Sequence, residues 1–378
     1  VIKRILERLN LSPGTYVLLA LGLFGALLAV IRLAAGLGPT TNLSDHYPWG
    51  LWIGLDVFLI PAAGAAFTVS AISHFFGQDD YHKILRPAVL AGLLGYVSVA
   101  VILILDLGRW HQFYSILIPQ NINLHSFLEE VSLSVTLYTG ILMLEIAPTV
   151  LEKTGLDLPL RLIKRLMVFI AAIGILISTV HQSSLGSMFI ILKHKLHPLW
   201  WTPILPLLFF VQALFGGLAT AGIVVYLTRK RVKTQPDKRL PVRMGRLIRT
   251  LLVLYAALKV GDIALAGEYA LLFSQGHYSL LLWAEIILGV AVPLAILFSK
   301  KGATRTGVFW SSIWVLAGLF FNRLTVAWIG LQAPSWATYV PHWMEVMSAL
   351  GIVAGAAFVF VVASRLFDLF PEQQQAQA

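Results

Sequence analysis

The chain of 378 residues contains no cysteine, and that absence excludes a good deal. No iron–sulfur cluster, thiolate metal site, disulfide or cysteine nucleophile can be built from it. A redox metal held by this chain would have to rest on histidine. Charge is scarce as well: Asp, Glu, Lys and Arg make up only 12% of residues, about half the share usual in a soluble domain. HExxH, Walker A, GxSxG and GxGxxG patterns are missing, which removes the common hydrolase, ATPase and dinucleotide readings.

What is abundant is apolar side chain. Hydrophobic residues reach 58%, and the mean hydropathy is +0.81. No soluble core of this size needs so much, so the surplus must face lipid. The expected fold class is an all-α integral membrane protein, because barrel strands would be shorter and would alternate apolar with polar. Ten apolar stretches of about 20 residues or more suit a ~30 Å hydrocarbon core. They run Thr15–Leu37, Leu51–Phe76, Pro87–Leu107, Phe127–Val150, Arg165–Gly186, Pro203–Leu227, Leu247–Ala266, Ser279–Ser299, Thr306–Gly330 and Met344–Leu366. The first is long for a signal-peptide core and has no evident cleavage site, so it is expected to stay as an anchor. The chain reads as one polytopic domain over residues 1–378. Spans 2–5 and 6–9 are expected to form two four-helix bundles, with spans 1 and 10 at the flanks. The polar tail Pro371–Ala378 is expected to be disordered.

The net charge of +10 does not form a nucleic-acid patch. Of 28 Lys and Arg, all but Arg32, Arg109, Lys193, Lys195, Lys259 and Arg323 lie in, or within one turn of, the segments before span 1, after even spans or after span 10. The positive-inside bias then puts both termini in the cytoplasm and the odd loops outside. Those odd loops carry His46-Tyr47-Pro48-Trp49, Arg109-Trp110-His111 and His197-Pro198-Leu199-Trp200-Trp201. They suit either an interfacial aromatic belt or a docking surface for an extracytoplasmic partner.

Ionisable residues within spans are costly, and each is a functional candidate. Direction of travel brings Asp56, Asp106, Glu130 and His181, on four consecutive spans, to the same outer third of the bilayer. A quinone exchanges two electrons and two protons, and a histidine with carboxylates near its ring suits that task. His181 and Asp106 are the first choices to hydrogen-bond the ring, with Asp56 and Trp110 beside them and Glu130 and Asp56 as the proton-handling reserve. The plain structural alternative for Asp106 is an ion pair with Arg109. Glu145 sits about 22 Å along the same helix from Glu130. A proton route down span 4 would pass Glu145, with His74 as its inner terminus, unless Glu145 simply pairs with a nearby cation. Lys259 and Asp262 are expected to neutralise each other, and Arg323 to join a buried ion pair. Haem ligated by two histidines is disfavoured, since only His181 lies clearly inside a span.

Several segments resemble the polysulfide-reductase membrane subunit (NrfD-type) family. They are Tyr47-Pro48-Trp49-Gly50-Leu51-Trp52-Ile53, Tyr81-His82-Lys83-Ile84-Leu85-Arg86-Pro87-Ala88, Asp106-Leu107-Gly108-Arg109 and His181-Gln182-Ser183-Ser184-Leu185-Gly186-Ser187. His197-Pro198-Leu199-Trp200, Phe321-Asn322-Arg323-Leu324-Thr325 and Tyr339-Val340-Pro341-His342-Trp343-Met344-Glu345 follow in the same order. Within the family, the sequence is most similar to the membrane subunit of hydrogenase-2-type Ni/Fe hydrogenases, historically called cytochrome b-type. The resemblance implies a ten-helix subunit of the bacterial inner membrane without haem or iron–sulfur cluster of its own. It implies exchange of electrons between menaquinone or ubiquinone and a periplasmic, ferredoxin-like four-cluster iron–sulfur subunit. A Ni/Fe hydrogenase or a multihaem cytochrome c subunit would lie beyond that partner. Asp106, Glu130 and His181 match polar positions of the family, and Glu145 a family glutamate that implies proton transfer. Two competing functions remain open at this point: an ion or solute transporter, and a non-catalytic membrane anchor for a periplasmic enzyme.

Overall fold

A computed structural model describes residues 11–123, 125–228, 239–267, 269–331 and 338–369, except the side chain of Asp79. The run Arg229-Lys230-Arg231-Val232-Lys233 and the tail 371–378 lie outside the described residues. The described chain is helical, and its only β geometry is two isolated bridges, Ser44–Tyr47 and Leu196–Leu331.

The helices are α1 (Pro13–Ala35), α2 (Leu51–Ala62), α3 (Ala65–His74), α4 (Asp79–Asp106), α5 (Phe127–Thr154) and α6 (Asp157–Ile190). After them come α7 (Leu205–Thr228), α8 (Arg239–Ala266), α9 (His277–Ile286), α10 (Val292–Phe298), α11 (Arg305–Leu324) and α12 (Trp343–Leu366). Helix ends follow local chemistry. Pro13 starts α1, where its missing N–H costs nothing. The Ser126 hydroxyl accepts from Glu129 N at the start of α5, and Thr304 does the same for Gly307 N at α11. His342 and Glu345 close a reciprocal cap on α12. Gly155, at φ 69°, ends α5 in the left-handed region that a side chain would resist.

Eight described helical segments are long and apolar enough to cross a membrane: Pro13–Ala35, Leu51–His74, Asp80–Asp106, Phe127–Thr154, Leu205–Thr228, His277–Phe298, Arg305–Ile329 and Trp343–Leu366. The protein is therefore an all-α, multi-pass integral membrane protein. The expectation of ten spans adds α6, with 34 residues, and α8, with 28.

Several spans depart from straight helices. Leu51–His74 breaks between α2 and α3, where Pro61 removes an N–H. The Ile60 carbonyl near this break accepts from Gln182 Nε2 at 3.2 Å. Short π-helical segments follow Glu285 (Ile287–Ala291) and Arg323 (Thr325–Ile329). Such π turns gather at functional or strained places.

α4 packs on both α2 and α3, α5 on α4 and α6 on α5, and α7 packs on α6, α8 and α11. α1 lies against α12. One apolar cluster joins Ile60, Phe67, Tyr96, Leu142, Phe189 and Phe209 across α2–α7. A second joins Val69, Ile84, Leu218, Ile248, Leu297 and Val315 across α3, α4, α7, α8, α10 and α11. Large apolar side chains such as Leu23, Val30, Phe169, Leu176 and Val260 are exposed on the outward faces, as lipid-facing residues must be.

Candidate functional site

Antiparallel packing sets which residues share a level. A Cβ placed on Gly95 would lie 2.6 Å from the Ala63 Cβ, and one on Gly92 2.6 Å from the Ala66 Cβ. That aligns α4 with the break between α2 and α3. The Tyr96 and Tyr138 rings meet edge to face at 4.7 Å, aligning α4 with α5. The Ser184 hydroxyl donates to Glu130 Oε1, and Gly174 faces Glu145 Oε1, aligning α5 with α6. At 1.5 Å per residue from these contacts, Asp106, Glu130, Asp56 and His181 fall within about 8 Å of one another along the helix axes. Four helices thus bring the four sequence candidates to one level.

The environment of these groups is unusual. His181 is fully buried, and neither ring nitrogen has a hydrogen-bond partner among the described residues. Its ring lies 6.0 Å from that of Tyr96. Asp56 is 3% exposed, with Oδ1 unpartnered, and Asp106 Oδ1 is unpartnered too. The Tyr96 and Tyr138 hydroxyls gather around that of Ser178 in the same buried region. Native interiors satisfy the great majority of buried polar groups, so a cluster of exceptions marks a place for water or a ligand.

The plain alternative for Asp106 is corrected. Arg109 is exposed on the surface. The cation beside Asp106 is Arg32 of α1, which is 2% exposed. Arg32 is anchored by one hydrogen bond, from Nη2 to the Leu107 carbonyl at 2.7 Å. Trp110 sits at this end of the bundle, its indole donating to the Leu33 carbonyl at 2.9 Å. It therefore holds α1 in place beside Arg32.

Towards the other end, the polar groups continue. Below His181 come Tyr96, Tyr138 and Ser178, and then Glu145, an electrostatic neighbour of Tyr138. Glu145 has an unpartnered Oε2 and no ion pair among the described residues, which corrects the expectation of a nearby cation. From Asp106 to Glu145 the file spans about 25 Å. His74 stands at the end of α3 with its ring 4.9 Å from His82.

The second set of charges also differs from expectation. Lys259 donates to the Leu199 carbonyl at 3.2 Å, and Asp262 accepts from Thr202, so the two do not neutralise each other. Arg323 makes no ion pair among the described residues; its guanidinium lies 3.3 Å from the centre of the Phe209 ring. Glu285 instead accepts from Trp200 at 3.1 Å, Asn322 at 2.9 Å and Tyr255 at 3.3 Å.

Arg32, Tyr96, Tyr138, Ser178 and Ser184 were not singled out from sequence. The tyrosines carried a usable signal, since belt tyrosines sit at span ends and these two sit well inside. Ser184 carried none, because a serine in a helix more often bonds its own preceding turn.

This combination defines a class: a polytopic helical membrane protein with a file of buried titratable groups along one set of helices. The match to known proteins makes it specific. Residues 39–335 match the family described as polysulphide reductase, NrfD, and the chain belongs to that family. It is 31% identical over 354 residues to the "Probable Ni/Fe-hydrogenase 2 b-type cytochrome subunit" of Escherichia coli (strain K12), covering 92% of this chain and 90% of that one. It is 28% identical over 379 residues to the "Menaquinone reductase, integral membrane subunit" of Nitratidesulfovibrio vulgaris, covering 91% and 88%. Identity is 22% over 360 residues to the "Hdr-like menaquinol oxidoreductase integral membrane subunit" of Archaeoglobus fulgidus, covering 88% and 87%.

Proposed function

We propose that this protein is the quinone-interacting membrane subunit of a respiratory redox complex. The observation that carries the proposal is the set of unpartnered polar atoms on Asp56, Asp106 and His181, delivered to one level by three helices. A quinone carbonyl needs a donor, and a quinol hydroxyl needs an acceptor. A histidine beside carboxylates supplies either as its protonation changes. His181 and Asp106 hold the ring. Glu130, kept in place by the Ser184 hydroxyl, and Asp56 take up or deliver its protons. The names of the relatives from Nitratidesulfovibrio vulgaris and Archaeoglobus fulgidus support menaquinone as the substrate.

In this proposal a quinol gives two electrons to a partner and two protons to these side chains, or the reverse sequence reduces a quinone. The partner is an extracytoplasmic iron–sulfur subunit seated over the Asp106 end. In this reading the basic ends of the helices face the cytoplasm, as the positive-inside bias favours, and ten spans cross the inner membrane. The Escherichia coli relative is named as a b-type cytochrome subunit, yet the residues present do not fit haem held by two histidines. That ligation needs two opposed rings at one level, whereas His181 faces Tyr96 and His74 faces His82.

His181→Ala and Asp106→Asn are expected to lower quinone-linked electron transfer by about 100-fold or more, with the complex still assembled on native gels. Wild-type rates in both variants would reduce the protein to an anchor.

A further inference from the structure

Away from the His181 level, an open cleft of about 580 Å³ lies between α3, α7 and α8. It begins at the basic end of the helices, beside Arg243 and Arg246, and runs inward to Leu214 and Leu218. Its walls are mainly apolar. Two buried hydroxyls interrupt them: Thr68 is 3% exposed and Tyr81 1%, and neither oxygen has a hydrogen-bond partner among the described residues. At the rim, Arg243 pairs with Asp80 at 2.8 Å and donates to Gln78 at 3.2 Å. Lys83 also reaches Asp80, at 3.6 Å. One carboxylate is thus shared by two cations. Arg246 is exposed and has neither an acidic partner nor a hydrogen bond among the described residues.

We propose that this cleft is a specific site for an anionic phospholipid, with the phosphate at Arg246 and Arg243 and an acyl chain along Leu214 and Leu218. Each part of that ligand answers a feature of the cleft. Uncompensated positive charge at the membrane surface selects a net negative headgroup, and basic pockets between helices at the cytoplasmic face are where such lipids settle. The glycerol ester carbonyls are acceptors only, which suits the two unpartnered hydroxyls of Thr68 and Tyr81. The apolar interior matches a hydrocarbon tail, and the volume lies within the range of ordinary ligand sites. A neutral quinone would leave Arg246 without a counter-charge. Inorganic phosphate would leave the apolar wall empty.

The site is independent of the proposed quinone chemistry and is tested without it. The full chain, purified in detergent, is mixed with equal amounts of phosphatidylglycerol and phosphatidylcholine of the same acyl chains, and the retained lipid is read by native mass spectrometry. Phosphatidylglycerol is expected to be retained in preference. Arg246→Gln should cut that preference about fivefold, the effect of one basic residue near the surface, and Arg246→Lys should keep most of it. The double variant Thr68→Val, Tyr81→Phe should weaken both lipids alike and leave the ratio unchanged. Arg246 is on the surface, so the variant is expected to unfold at the wild-type temperature, and that control is run alongside. Equal retention of the two lipids, or an unchanged ratio in Arg246→Gln, overturns the proposal. So does displacement of the bound lipid by added menaquinone or by inorganic phosphate.

Discussion

Glu130 illustrates how much one residue's neighbour decides. It lies near the start of α5, where a carboxylate also complements the helix dipole. Its partner is the Ser184 hydroxyl on α6, whose second contact is its own Val180 carbonyl at 2.9 Å. Ser184 therefore fixes Glu130 against α6, one turn from His181. If Glu130 carries a proton during turnover, Glu130→Gln should lower kcat by about 10²-fold while KM changes by no more than a few-fold. Ser184→Ala should have a smaller effect in the same direction, since it releases the carboxylate without removing it. Steady-state kinetics across pH with a quinol substrate check both, and an unchanged pH–rate profile in Glu130→Gln would take Glu130 out of the proton path. The sequence allowed Glu130 to be chosen because alternation of direction brings it to the level of His181. It could not supply Ser184 or Arg32, because which face of a helix meets its neighbour depends on packing that no local pattern encodes.

At the scale of elements, close crossings of backbone hold the site in shape. A Cβ on Gly25 of α1 would lie 2.5 Å from the Gly351 Cα of α12, and one on Gly22 3.0 Å from the Gly355 Cα. Apolar tails solvate a leucine as well as another helix does, so association in the bilayer relies on such close packing. This crossing also carries Arg32 to Asp106, since both the arginine and the glycines are on α1. Gly25→Leu is expected to force α1 and α12 apart, costing on the order of 1–3 kcal/mol by overpacking, and to lower quinone-linked activity as Arg32 moves off Asp106. A thermal unfolding curve that matches wild type would refute the packing argument. Each expected span is occupied by a helical segment, since runs of apolar residues at membrane length leave the backbone no other solution. The break at Pro61, the π segments after Glu285 and Arg323, and the pairing of Glu285 with Trp200, Asn322 and Tyr255 were not legible. Each depends on a partner from a distant helix. Gln182 reaching the Ile60 carbonyl is the clearest case.

For the whole molecule, the competing transporter reading makes a definite demand: a broken helix whose freed backbone groups hold the cargo near mid-membrane. The break between α2 and α3 is there, but the Ile60 carbonyl is occupied by Gln182, and α7 crosses so closely that a Cβ on Gly217 would lie 2.5 Å from the Gly64 carbonyl carbon. The space is filled by protein. The polar file instead runs past the break, from Asp106 through Asp56, His181 and Tyr96 to Tyr138 and Glu145. A route of that kind moves protons along the helices while electrons leave at the Asp106 end, so turnover would separate charge. The complex reconstituted in sealed liposomes with a voltage-sensitive dye should then develop a membrane potential on quinone-linked turnover. Glu145→Gln should abolish the dye response and leave electron transfer through the Asp106 end within a few-fold of wild type, the protons then exchanging at that same end. Loss of both together would make Glu145 a structural residue. A wild-type complex that turns over with no voltage signal would confine proton exchange to the level of Glu130 and His181, with the lower half of the file serving only to pack the bundle.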